Sequence, residues 1–324
     1  MRAVVLRSHG GPEVLTIEEV DDPTPGRDDI MVDVEHTAIN RADILQRMGM
    51  YPDPRPRAME IPGLEYSGVV SAIGADVVGW TVGDRAMGIE AGGCYADKVV
   101  THARQALPVP FAVVSADAAA IPEVFLTAWD ALVVQGGLTS GRWALVHAGA
   151  SGVGTAAIQI AKAIGARIVV TCSSGKADAC RALGADVVLE RSPADWLGAL
   201  RSAIPGGVDV VLDVIGGDEA DRNLQAARMD GTIIQVGLMG GGSAPVNIGL
   251  ILGKRLTWIG TTLRARPLER KLALSQRFID EMLPLFDAGS LKPVIDSRYS
   301  FEQIADAHRH MEANANIGKI LVDL

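Results

Sequence analysis

The segment that most constrains this chain is Trp143-Ala-Leu-Val-His-Ala-Gly149-Ala150-Ser151-Gly152-Val153-Gly154-Thr-Ala-Ala-Ile-Gln-Ile-Ala-Lys. A short apolar run ends in a glycine-rich turn, and the turn opens into a small-residue helix former. Strand, turn and helix in that order place a pyrophosphate on the amides of a helix N-terminus. The motif lies near the middle of 324 residues, so a whole domain precedes it. It departs from a strict Gly-x-Gly-x-x-Gly, because Ser151 holds the middle position and Gly152 follows it. A nucleophile elbow would need glycine two places after the serine, and Val153 stands there.

The flanking pattern agrees with a two-domain α/β chain. From residue 122 the apolar period becomes that of alternating strands and helices. Strands are expected at 144–147, 168–171, 187–189, 208–213, 232–236 and 256–259, and helices at 124–134, 154–164 and 176–183. Six short β-branched strands joined by helices describe a doubly wound parallel sheet covered on both faces. The first ~120 residues read instead as strand and turn, with β-type runs at 3–6, 30–34 and 68–72, and suggest a compact β-barrel. Tyr51-Pro-Asp-Pro-Arg-Pro56 is neither helix nor central strand, since each proline removes a donor. Residues 267–288 read as one long amphipathic helix, 301–312 as another, and 318–323 as a last strand.

Composition excludes several classes. No run of ~18 uninterrupted apolar residues is present, which argues against a membrane span. The N-terminus lacks the apolar core and cleavage site of a signal peptide. The net charge of −9 disfavours general nucleic-acid binding. Cys94, Cys172 and Cys180 are odd in number and widely spaced, which suits a reducing cytoplasm. The six histidines show no metal spacing. Arg264, Arg266, Arg270 and Lys271 form a basic cluster, read as a solvated face.

The second expected strand bears on the coenzyme. An NAD site usually carries an acid about 20 residues after the glycines, bonded to the ribose hydroxyls. Here the strand runs into Thr171-Cys-Ser173-Ser174-Gly175-Lys176, without a carboxylate. Serine hydroxyls and a lysine suit a 2′-phosphate, with Arg191 as a second cation. NADPH is therefore the expected cofactor. The competing reading makes Lys176 a plain solvated helix residue.

On its motifs, the whole chain resembles the zinc-independent quinone oxidoreductase (zeta-crystallin-like) branch of the medium-chain dehydrogenase/reductase family. The residues that carry this are Ala38-Ile-Asn40-Arg-Ala-Asp43, Ile61-Pro-Gly-Leu-Glu65-Tyr-Ser-Gly68, Val78-Gly-Trp-Thr-Val-Gly-Asp-Arg85, Leu126-Thr127-Ala-Trp129, Val146-His-Ala-Gly-Ala-Ser-Gly-Val-Gly154 and Asn316-Ile-Gly318-Lys319-Ile320. The glycine segment, with Tyr51 upstream, is most similar to the tumour-suppressor-inducible NADPH:quinone oxidoreductase subtype. The resemblance implies a GroES-like β-barrel catalytic domain (1–120 and 265–324), a Rossmann domain (121–264) and a cleft between them. It also implies that Thr127 lies near the nicotinamide, and that Asn316, Gly318 and Lys319 approach the cofactor. In zinc members of the family a cysteine falls near Asn40 and a Gly-His-Glu near Gly63-Leu64-Glu65. Neither the cysteine nor the histidine is present here, so no metal is expected.

Without a Lewis acid, a simple carbonyl is a poor acceptor, whereas a quinone is already electrophilic. The expected activity is reduction of quinones, ortho-quinones among them, by direct hydride transfer. Asn40 is the substrate-side candidate, its amide donating to a developing oxyanion; the alternative is a buried turn-capping asparagine. Tyr51 could donate its phenol to the second oxygen or wall the pocket, or be an ordinary loop tyrosine. Gly237 and Leu238 follow the fifth strand, at the edge where open α/β sheets bind ligands. Rival readings are an NADPH-dependent alkenal or enoyl reductase of the same fold, and a non-enzymatic crystallin-like or RNA-binding protein. A short-chain dehydrogenase is excluded, since no tyrosine has a lysine four residues later. The apolar edge strand from Leu256 to Thr262 is expected to pair in a homodimer.

Overall fold

The computed structural model describes residues 1–54, 59–191 and 195–324. Arg55 and Pro56, the end of the proline run, lie outside the described residues; residues 51–54 form neither helix nor strand. The chain divides into two compact units, Met1–Leu126 with Leu263–Leu324, and Thr127–Thr262.

In the first unit, β1 (Arg2–Leu6) pairs with β2 (Leu15–Glu19) as an antiparallel ribbon. The main sheet is built on β3 (Asp29–Ile39), an 11-residue strand. Helix α1 (Arg41–Arg47) follows it, then β4 (Glu65–Ile73), β5 (Arg85–Ile89), β6 (Lys98–His102) and β7 (Leu107–Pro108). Strand β4 lines one edge of β3, and β6 pairs with the N-terminal half of the other edge. Alternation in β3 sends Ile30, Val32 and Val34 inward against Tyr66, Val70 and Val99, the pattern of a strand buried on one face. Helix α2 (Pro122–Trp129) starts with a proline, whose missing N–H costs nothing in a first turn.

The second unit holds β8 (Trp143–His147), α3 (Gly152–Ala163), β9 (Arg167–Cys172), α4 (Ala177–Ala182), β10 (Val187–Glu190) and α5 (Trp196–Ala203). Then come β11 (Val208–Asp213), α6 (Glu219–Ala226), β12 (Ala227–Gln235), α7 (Ile248–Lys254) and β13 (Thr257–Gly260). All six strands pair in parallel, in the order β10-β9-β8-β11-β12-β13. This is the expected doubly wound sheet, with the order reversing between β8 and β11. Its central strands are apolar on both faces, and Leu145, Val169, Val211 and Ile233 join the core with Trp196 and Leu200 of α5.

The chain then returns to the first unit through α8 (Leu268–Glu281), α9 (Leu283–Asp287), β14 (Ile295–Ser300), α10 (Ile304–Glu312) and β15 (Lys319–Asp323). Strand β15 completes the barrel-type sheet by pairing antiparallel with the C-terminal half of β3, Ile320 opposite Ile39. Two expected helices differ in form. The 267–288 helix breaks at Met282, because Pro284 has no N–H for the carbonyl four residues back. After Trp129 the 124–134 helix widens to a π-type turn over Asp130–Gln135, where the Gly136 backbone N–H donates to the Ala131 carbonyl at 2.9 Å. That i,i+5 bond matches the wider turn.

Gly318 enters β15 at φ +80°, and a Cβ there would overlap the Val294 carbonyl. Gly79 shares the sign of φ, at +86°, but faces open space. Gly318→Ala should therefore cost about 1–3 kcal/mol of stability, and Gly79→Ala less. Thermal unfolding of both variants checks this; equal losses would assign the whole cost to φ.

Candidate functional site

Two groups of side chains stand out, one in each unit. In the first unit, the β3–α1 junction is capped by Asn40, whose backbone N–H has no helical carbonyl to donate to and donates instead to Asp43 Oδ2 at 2.8 Å. Beside it, Lys319 enters from β15. Its ammonium donates to Glu65 Oε1 at 2.6 Å, to Asn40 Oδ1 at 2.6 Å and to the Ile39 carbonyl at 3.0 Å. Glu65 is fully buried and Lys319 is 2% exposed. The Asn40 amide nitrogen donates to the same Glu65 oxygen at 2.9 Å. The second Glu65 oxygen accepts from the Glu123 backbone N–H at 2.9 Å. All three ammonium protons and both carboxylate oxygens are thus used, as burial of an ion pair requires.

A second buried line runs behind it. The Tyr95 hydroxyl donates to Asp43 Oδ2 at 2.9 Å and lies 3.3 Å from His308 Nε2. Because that hydroxyl proton goes to Asp43, His308 Nε2–H is the donor to the tyrosine oxygen, and Nδ1 is left bare and unpartnered. Burial lowers the His308 pKa to about 3, with Arg47 adding to the effect. Burial raises Asp43 to about 6 against the opposing hydrogen bonds of Asn40 and Tyr95. It raises Glu123 to about 8, with the negative charge of Glu65 second.

Tyr51 is half-buried, and the Arg264 guanidinium lies 4.7 Å from its ring centroid. Arg264 donates to the Tyr51 carbonyl at 2.7 Å, to Gln46 Oε1 at 2.7 Å and to the Ala91 carbonyl at 2.6 Å. The basic cluster is therefore not a solvated face throughout. Arg264 and Lys271 are each 7% exposed, and Lys271 donates to the Arg264 carbonyl at 2.9 Å. Tertiary hydrogen bonds, invisible to a charge count, took both inside.

In the second unit, the glycine segment forms the expected strand–turn–helix. Ala148 takes φ +58° and Ser151 caps α3, its hydroxyl accepting from Gly154 N–H at 3.1 Å. A Cβ on Gly154 would overlap Ala148 and Gly149, so only glycine lets the helix start this close to the strand. Gly152 and Val153 supply first-turn amides that no intrahelical carbonyl reaches. With Gly149 and Ala150 lining the turn, the segment fits a pyrophosphate. After β9, Ser173 and Ser174 are exposed and Lys176 half-exposed. Arg191 is exposed, and its N–H donates to the Cys172 carbonyl at 2.8 Å, which sets it beside that loop. Gly237 and Leu238 begin the loop after β12, knitted to the loop after β11 by Met239 N–H to Val214 and Gly240 N–H to Ile215. His147 bridges Thr171 Oγ1 at 2.9 Å and Asn223 Oδ1 at 2.8 Å. Asn223 in turn donates to Asp213 Oδ2 at 2.9 Å, and Asp213 Oδ1 accepts from Ile215 N–H at 2.6 Å. This chain of bonds fixes the loops at the carboxyl edge of the sheet.

The first-unit group brings together Asn40 and Lys319 from the expected residues. Asn316 donates to the Gly318 carbonyl at 2.8 Å and shapes the turn into β15. Thr127 is buried at 9% exposure in α2. Glu123, Arg264 and Asn223 were not singled out as site residues from sequence. An acid just inside a helix that begins with proline was the one available signal for Glu123.

The chain matches the model of the alcohol dehydrogenase GroES-like domain over residues 26–111 and that of the zinc-binding dehydrogenase over 152–280. A solved NAD-dependent alcohol dehydrogenase is 30% identical, with a TM-score of 0.87 and all of both chains covered. Escherichia coli quinone oxidoreductase, solved with NADPH, is 28% identical, with a TM-score of 0.90 over all of both chains. The rat synaptic vesicle membrane protein VAT-1 homolog is 28% identical over 99% of this chain and 84% of its own. The chain belongs to the medium-chain dehydrogenase/reductase family of oxidoreductases.

Zinc, which the second of those descriptions implies, needs lone-pair donors. At Asn40 and Glu65 the carboxylate is instead occupied by an ammonium, and among the described residues no three Cys, His, Asp or Glu side chains gather as a ligand set. The residues do not fit the metal. Nor is any helix among the described residues long and apolar enough to cross a membrane.

Removing the ammonium by Lys319→Met should destabilise the protein by about 3–5 kcal/mol, because Glu65 is left charged and unpaired. Lys319→Met with Glu65→Leu should cost clearly less than the two single losses combined. Urea unfolding of the three variants measures the coupling.

Proposed function

We propose that the protein reduces quinones, ortho-quinones among them, with NADPH by direct hydride transfer and without a metal. The observation that carries this reading is the whole-length likeness to a quinone oxidoreductase solved with NADPH. A bound reduced nicotinamide supplies the hydride. The protein's own part begins at the α3 N-terminus, where the Gly152 and Val153 amides would take the pyrophosphate. Ser173, Ser174, Lys176 and Arg191 would hold the 2′-phosphate, as no carboxylate stands in the loop after β9 to repel it. On the acceptor side, Tyr51 is presented by Arg264, and Asn40 is oriented by Lys319 and Glu65. The second Asn40 amide hydrogen makes only a 3.4 Å contact with the Ala38 carbonyl, so it is the one available to an oxyanion. Thr127, Gly237, Leu238, Asn316 and Gly318 complete the proposed cofactor contacts.

Support for a homodimer comes from β13, which pairs on one side only and ends the sheet, with Trp258 37% exposed. Leu256 belongs to the core, so the pairing strand is Thr257–Gly260 within 256–262.

Purified protein should oxidise NADPH with ortho-quinones faster than with alkenals or crotonyl thioesters. Faster turnover of the thioester or alkenal overturns the acceptor assignment. Lys176→Ala should weaken NADPH by about 10–100-fold, the worth of a charged hydrogen bond, and NADH much less. Fluorescence titration with each coenzyme reads this, and equal losses would remove the basis for NADPH.

A further inference from the structure

We propose that Glu123 is the acid that supplies the reaction's proton, to the acceptor oxygen that turns negative when hydride arrives. The inference rests on the reductase reading above. Glu123 sits in the first turn of α2, tied by its backbone N–H to Glu65. Its carboxyl is only partly buried and makes no hydrogen bond among the described residues. The carboxylates around it are already engaged: Glu65 by Lys319, Asn40 and the Glu123 amide, Asp43 by Asn40 and Tyr95.

The charged groups that face Glu123 are Glu65 from β4, Asp43 from α1, Lys319 from β15 and Arg264 from the segment before α8. Burial is the largest effect, and with the negative charge of Glu65 second it prevails over the two cations. The Glu123 carboxyl is pushed up to about 8 and keeps its proton at neutral pH. A raised carboxyl whose backbone N–H holds a second carboxylate, itself paired with a buried lysine, has the arrangement of an acid beside an electrostatic partner. Hydride addition to a quinone leaves a hydroquinone monoanion. The Glu123 O–H bond then breaks, its proton passes to that oxygen, and the carboxylate left behind regains a proton from water at its exposed side. The dinucleotide leaves oxidised.

The test is the pH dependence of kcat with NADPH and an ortho-quinone. The acid must be protonated, so wild-type kcat should fall as pH rises through about 8. Glu123→Gln should lower kcat about 100-fold or more and abolish that falling limb, with NADPH binding by fluorescence unchanged. Glu123→Asp should restore part of the rate together with the limb. Infrared difference spectra of wild type against Glu123→Gln should show a protonated carboxyl at pH 7 that is gone at pH 10. Wild-type kcat and pH profile in Glu123→Gln, or no such band at pH 7, overturns the assignment and leaves the reductase reading standing. A wild-type protein that turns over no quinone overturns the reductase reading and this role with it.

Discussion

A single buried ion pair holds the first unit to its course. Lys319 and Glu65 are 254 residues apart and meet at 2.6 Å with almost no exposure to water. Such a pair is tolerable only when every lone pair and proton is satisfied, because the desolvation of each ion costs several kcal/mol. Asn40, Ile39 and the Glu123 backbone satisfy them, so β3, β4, α1, α2 and β15 must all arrive in register. The pairing of β15 with β3 makes that possible, since it brings the last strand beside the turn that Asn40 caps. A metal would need lone pairs at this place; here an internal cation takes them.

The second unit solves a different problem with a line of side-chain hydrogen bonds. Its glycine turn leaves amides unpaired where a pyrophosphate would lie, and its loops at the sheet edge must stay fixed. The line from Thr171 through His147 and Asn223 to Asp213 does the fixing, and each member spends its hydrogen bonds inside the protein. Trp196 packs edge-on against His147 at 5.2 Å, which keeps water out of that line. The result is a braced frame around a turn whose first helical amides have no intrahelical partner.

How much was legible in advance depended on the range of the interaction. The parallel sheet showed as six β-branched runs, because burial on both faces writes an apolar strand into the sequence. The cap at Ser151 and the tight start at Gly154 were equally local. Strands β2 and β14 were not anticipated; both are rich in polar residues and largely exposed, so neither writes an apolar run into the sequence. The break at Met282 follows from Pro284, a local signal that the amphipathic period of 267–288 masks. Arg264 looked like one cation among four, yet its guanidinium is buried against Tyr51, Gln46 and Ala91, each about two hundred residues away.

Sequence alone determined the two-part α/β architecture, the phosphate turn and the absence of an acid after the second strand of the Rossmann sheet. All three rest on contacts between residues close in the chain or on a periodicity that solvent imposes. Tertiary structure alone decided that Lys319 would neutralise Glu65 and that Arg264 would hold Tyr51. It also decided that Glu123 would stand beside a buried charge. Protonation and hydrogen-bond partnership depend on which groups meet after folding, and that distance in space has no counterpart in distance along the chain.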